Sequence, residues 1–210
     1  ITANLSDALH KFRLPDAPRL LWADAICINQ RDNAEKSFHI TLVAHIYRMA
    51  TTVLIWLGNS SVAQTAMVDI DKVARLIRSS DEHLSENNVH RLKSSIAELL
   101  DLPWFSRRWV IQEAVLNLNT VVHCGKRHIP FARLGQAAEW LQGELLRTDT
   151  ADYSPYSFVT MFHLWRRWSL QLVDLEHSTR LHRLLEEFYY FECADGRDRI
   201  STLATLASDV

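Results

Sequence analysis

The chain has 210 residues, 48% hydrophobic and 23% charged, and its 23 Lys and Arg against 25 Asp and Glu leave a formal net charge of -2. That is enough apolar chain for one domain with a full core, and it excludes a disordered, collagen-like or low-complexity polypeptide. The near-neutral balance argues against a nucleic-acid binder, and the longest apolar runs, such as Val53 to Leu57, fall far short of the ~20 residues that cross a bilayer.

In chain order, residues 19–23 read as a buried strand that ends at Asp24 and the polar turn Asn29-Gln30-Arg31-Asp32. Asp32 with Glu35 has capping-box spacing, and Val43, Ile46, Tyr47, Met49 and Ala50 continue at helical intervals. Residues 53–57 read as a second buried strand, stopped by Gly58-Asn59-Ser60, so strand, helix and strand imply a parallel pair. Ser61 with Gln64 opens a helix whose stripe runs from Ala66 to Ile77, and a further helix carries Val89 to Leu100 after the polar residues 79–88. A helix over 106–117 follows Pro103, then a strand over 120–124 with a hairpin turn at Gly125-Lys126. Helices are expected over 131–146, 156–175, 178–191 and 200–207. The expected fold is α/β: a small, mainly parallel sheet flanked by helices (1–130), then a helical C-terminal part (131–210), within one domain. So few strands cannot cover a parallel sheet, so a further strand ahead of Ile1 is expected; the chain opens without methionine and reads as a piece of a longer protein.

The five glycines stand too far apart for a dinucleotide or phosphate loop. Cys27, Cys124 and Cys193 form no C-x-x-C pair, which fits a reducing, cytoplasmic setting, with Cys27 expected buried and inert. His123, Cys124 and His128 do not make a metal set, because strand alternation separates the first two, so no metal is expected. Trp165-Arg166-Arg167-Trp168 reads as helix packing with arginine heads at the surface.

Ligands of open α/β sheets sit beyond the carboxyl ends of the strands, where residues 24–32 and the Gly58–Ser61 turn would converge. The helix start at Ser61 either receives an anion or is simply capped. Asp24, set among apolar residues, either braces its turn or faces a ligand. Trp109 and Glu113, four apart, share a helix face, with Arg108 and Gln112 as the adjacent pair. A carboxylate beside an indole suits cleavage of a glycosidic bond; a core tryptophan and an arginine-paired glutamate would look the same in sequence.

The blocks Leu21-Trp22-Ala23-Asp24-Ala25-Ile26-Cys27-Ile28-Asn29-Gln30-Arg31-Asp32, Ile46-Tyr47-Arg48-Met49-Ala50 and Pro103-Trp104-Phe105-Ser106-Arg107-Arg108-Trp109-Val110-Ile111-Gln112-Glu113, with a closing segment from Gly196 to Asp209, resemble the fungal heterokaryon-incompatibility (HET) domain. Departures include Ala23, Phe38-His39 and Gly196 with Ser201 and Thr205, and the family's opening strand is absent ahead of Ile1. The resemblance implies nonself recognition that triggers programmed cell death. It also implies similarity to TIR domains, with a flavodoxin-like sheet and, in several cases, NAD hydrolysis. On that analogy Glu113 is the catalytic carboxylate, Trp109 its supporting aromatic, and Asp24, Asn29, Gln30 and Arg31 flank NAD as substrate, with no prosthetic group. The alternative is a non-enzymatic assembly module. Either way the expected partners are a homo-oligomer, other regions of the same protein or incompatibility proteins, with no membrane.

Overall fold

The structure, a computed structural model, describes residues 1–78, 85–147, 155–170 and 179–210. It opens on α1 (Ala3–Phe12), where the Thr2 hydroxyl accepts from the Leu5 N–H at 3.2 Å and Ala8 and Phe12 are buried. Phe12 meets Trp56 and His123 edge to face, with ring centroids 5.9 and 4.9 Å away.

Residues 19–23 are not a strand, contrary to the sequence reading. A strand exists only through its partner, and this segment runs in the wrong direction for the parallel pairing expected. It passes from Phe12, beside the far end of β1 (Val53–Trp56), to Trp22, whose ring meets Tyr47 at 5.8 Å in the last turn of α3 (Asn33–Met49), just ahead of β1. Leu20 is left wholly exposed. A single turn, α2 (Asp24–Cys27), follows, and Asp32 then caps α3 by accepting from Ala34 and Glu35 N–H. Glu35 does not complete a capping box; its Oε1 accepts instead from the Asn29 N–H at 2.9 Å.

β1 pairs parallel with β2 (Thr120–Cys124), and β2 pairs antiparallel with β3 (Arg127–Pro130), in the order β1-β2-β3. The sheet is therefore mixed, not mainly parallel. The hairpin turns at Gly125, with φ +53, where a Cβ would stand 2.3 Å from the Gln64 amide. That amide is engaged because α4 (Ser61–Arg78) is capped one residue earlier than expected: Ser60 Oγ accepts from Ala63 N–H, freeing Gln64 Oε1 to accept from Lys126 N–H at 3.0 Å.

α5 (Glu86–Leu100) packs on α4, and α7 (Phe131–Arg147) covers α4 and the sheet. α8 (Tyr156–Leu170) lies across α7 and α6 (Val110–Val115), and α9 (Leu181–Glu187) meets α10 (Asp198–Ala204). Fully buried residues such as Leu92, Ile111 and Leu134 contribute roughly 1.5–3 kcal/mol each. One buried apolar cluster runs from Ala44 to Leu206, so the sheet part and the helical part share a core. In the Trp165–Trp168 tetrapeptide, Trp165 Nε1 donates to Asn117 O, Arg166 pairs with Glu139 at 2.8 Å and Arg167 with Glu187 at 3.0 Å, and Trp168 lies under Arg48. Residues 79–84, 171–175 and 178 of the sequence reading lie outside the described residues. Among those described, no helix is long and apolar enough to cross a membrane.

The helix expected over 106–117 begins only at Val110. The backbone ahead of it is committed elsewhere: Arg108 N–H donates to Glu192 O and Glu192 N–H to Ser106 O, both at 2.8 Å. This bridge to the closing segment replaces the first helical turn.

Candidate functional site

α6 and the residues leading into it hold side chains in two directions. Toward the closing segment, Arg108 is 2% exposed and donates to three acceptor contacts, Nη1 to Phe188 O at 2.6 Å, and Nε and Nη2 to Arg199 O at 3.1 and 2.8 Å. Burial lowers the pKa of this guanidinium, yet arginine keeps its proton in proteins, so the carbonyls solvate a buried cation. Gln112 Nε2 donates to Thr202 O and Thr205 Oγ1, and Trp109 Nε1 to Asp198 Oδ2 at 3.0 Å.

Glu113 takes the other direction. Its Oε2 accepts from the indole N–H of buried Trp104 at 3.1 Å, while the residue as a whole is half-buried. Desolvation raises the carboxyl above its ordinary pKa; the Arg107 charge and the Trp104 bond pull it down, and the nearby Asp24 charge pushes it further up. Arg107 acts at a distance, because no ion pair joins it to Glu113. Tyr47 lies in the same field: burial first, then Glu113 and Asp24, raise its phenol strongly, and Arg107 opposes them. Asp24, Tyr47, Arg107 and Glu113 are thus electrostatic neighbours, with Trp104 bracing the carboxylate.

The other residues singled out in sequence sort differently. Asp24 is exposed, not set in an apolar pocket, and its Oδ1 braces the turn by accepting from Ala25 N–H at 2.7 Å. Asn29 Oδ1 accepts from Arg31 N–H, and Gln30 Nε2 donates to Asp24 O, so these two build the loop that presents Asp24; Arg31 is exposed. The Trp109 indole bonds to the closing segment, and the indole that donates to Glu113 is that of Trp104. Trp109 and Glu113 keep their helical relation, Glu113 N–H donating to Trp109 O at 3.5 Å, yet it is Trp104 that the turns of 101–109 bring to the carboxylate. Cys27 is exposed, not buried.

The cluster also lies at the opposite end of the strands from the one expected. Tyr47 precedes β1 and Glu113 precedes β2, and the Asn117 amide ties the two approaches together by donating to Tyr47 O at 2.9 Å and Ala50 O at 2.6 Å. The cluster thus sits by the amino ends of β1 and β2, whereas the Gly58–Ser61 turn leaves the carboxyl end of β1. A half-buried carboxyl with suppressed acidity, next to a second acid and a cation, keeps its proton to higher pH than an exposed one and, once ionised, can stabilise positive charge.

No solved structure matches the chain. A curated relative, "Heterokaryon incompatibility protein 6, OR allele" of Neurospora crassa, is 27% identical over 237 aligned positions, covering 91% of this chain and 35% of the relative. The chain therefore spans about a third of that protein's length. Residues 1–113, more than half of the chain and ending on Glu113 itself, match the family described as Heterokaryon incompatibility protein (HET). With both loop and acid inside the matched region, the chain belongs to the heterokaryon incompatibility (HET) family.

Proposed function

We propose that the chain is an effector domain of fungal nonself recognition that triggers cell death by hydrolysing NAD at Glu113. The observation that carries this reading is the half-buried Glu113 carboxyl, raised in pKa, held by Trp104 and facing the field of Asp24, Tyr47 and Arg107. In the reaction the glycosidic C–N bond breaks with its electron pair leaving on the nicotinamide nitrogen, water forms the new C–O bond, and the water's proton passes to solvent. Glu113, ionised, stabilises the positive charge that develops at the anomeric carbon, and the exposed Asp24 carboxylate is the acceptor for a ribose hydroxyl. The TIR-like analogy supports the same chemistry, and a cytoplasmic setting keeps the exposed Cys27 thiol reduced.

The test is NAD consumption by the purified chain across a wide protein concentration range, since assembly can complete such a site. Turnover in the parent and at least a 100-fold loss in Glu113→Ala, with an unchanged unfolding midpoint, is the expected result. Absence of turnover at every concentration rejects the enzyme. A second reading then stands on a separate observation: Leu20, Ile26, Phe38 (62% exposed) and Met49 (69%) leave apolar surface around α2 and α3, as an assembly module would. For that reading, Phe38→Ser and Met49→Ser would abolish self-association, measured by sedimentation.

A further inference from the structure

The carboxyl ends of β1 and β2 carry a feature that the Glu113 reading does not use. A cavity of about 390 Å³ opens there, lined by Lys11, Lys126, His10, Trp56, Asn59 and Asp7 among others. Among the described residues Asp7 is the one acid lining it, against two lysines, and its Oδ2 accepts from Asn59 Nδ2 at 2.8 Å. Lys11 and Lys126 form no ion pair among the described residues. A second observation points the same way: His123, paired in register with Trp56, is held in its neutral form by burial and then by the charges of His128, Lys11 and Arg19. Positive potential therefore gathers at this end of the sheet from three elements, α1, the segment after it and the hairpin. The indole N–H of Trp56 is buried without a hydrogen-bond partner, and the amino end of the long helix α4 begins beside Asn59, adding the positive end of its dipole.

We propose that this cavity binds a phosphate or pyrophosphate group, with Lys11 and Lys126 as its countercharges. Phosphate oxygens supply what the site lacks: negative charge for two unpaired ammonium groups and acceptors for donor groups. At about 390 Å³ the space exceeds a single phosphate, which leaves room for the group to arrive on a larger molecule. The site is independent of Glu113, being separated from it by the length of β1, four residues or roughly 13 Å.

Inorganic pyrophosphate, ADP and adenosine serve as probes, titrated into the chain at low salt by calorimetry. Saturable binding of pyrophosphate and ADP but not adenosine is expected, weakening as salt rises. ADP tighter than pyrophosphate identifies a nucleotide as the source, and equal affinity identifies free phosphates. Lys126→Glu and Lys11→Glu should each weaken binding about tenfold or more, while Lys72→Glu, on α4 outside the cavity, leaves it within twofold. No saturable binding, or equal losses in all three variants, overturns the proposal. Because Lys126 lies in an exposed turn, its reversal tests the site even if Lys11→Glu disturbs α1.

Discussion

The two ends of the β1–β2 pair were built for opposite charges. At the amino ends, Asp24, Glu113 and the Tyr47 hydroxyl are electrostatic neighbours, and the carboxyl of Glu113 is shifted toward its neutral form. At the carboxyl ends, Lys11, Arg19 and His128 surround His123, and the neutral form of the imidazole is favoured. Desolvation is the main cause at both ends, yet it raises an acid and lowers a base. The comparison teaches that these ends answer pH with opposite sign, and that each stores its cost in one identifiable side chain. What separates them further is support: α6 is gripped by the closing segment, whereas the basic end is framed by a hairpin and a helix start.

The largest expected effect breaks that grip. Arg108→Met keeps volume but strands the carbonyls of Phe188 and Arg199 in the interior, which should cost about 3 kcal/mol in a urea titration. Hydrogen exchange should quicken first in α6 and the 188–205 segment, with the β1–β2 amides still slow. A loss below about 1 kcal/mol would mean that the closing segment does not hold α6, and the contrast in support between the two ends would disappear.

Glu113→Gln comes next and should stabilise. The folded carboxyl has a raised pKa, so the stability it contributes is full below the unfolded value near 4.5 and is lost as pH rises through the folded value. Wherever the folded carboxyl is forced to ionise it is therefore a cost, and Gln removes that cost while still accepting from Trp104. The gain, read from urea titrations across the pH range, should grow as pH rises above about 4.5 and vanish toward pH 4. Asp24→Asn should give part of the same gain, because its charge is one cause of the shift. A variant that is stable but inactive would be the signature of a carboxyl kept for chemistry at the expense of the fold.

Much of this is legible in the residues themselves. Residues 53–57 and 120–124 are apolar and β-rich, and the Asp32 cap and the Gly125 hairpin follow from local chemistry that tertiary packing does not override. α1 could have been read too, since Thr2 followed by Leu5, Ala8, Leu9 and Phe12 has a cap and helical spacing. Residues 19–23 misled because a strand's propensity records a fit to neighbours, which the residues themselves do not carry. Trp104 escaped notice for a related reason. Nine positions separate it from Glu113, and only the turns forced by the Glu192 bridge bring the indole to the carboxylate. Lys11 and Lys126 lie more than a hundred positions apart, so no local window could have joined them.

The smallest effect concerns His123, and it tests the basic end alone. Its folded pKa of about 4 lies below the ordinary 6.5, so the unfolded chain takes up the proton first and stability falls as pH drops from 6.5 toward 4, levelling off below. With solvent reaching part of the residue, the loss should be on the order of 1 kcal/mol, and His123→Gln should flatten the curve in that window. The ring's own titration, followed by NMR, reads the field directly. Lys11→Glu should raise its pKa, because the Lys11 charge is among the causes that lower it, while Glu113→Gln at the other end should leave it unmoved. Pyrophosphate in the cavity should raise it in the parent chain as well, since a bound anion offsets the same cations. A ring that titrates near 6.5 in the parent would mean that the cations do not converge there, and the opposition between the two ends would reduce to the acidic one.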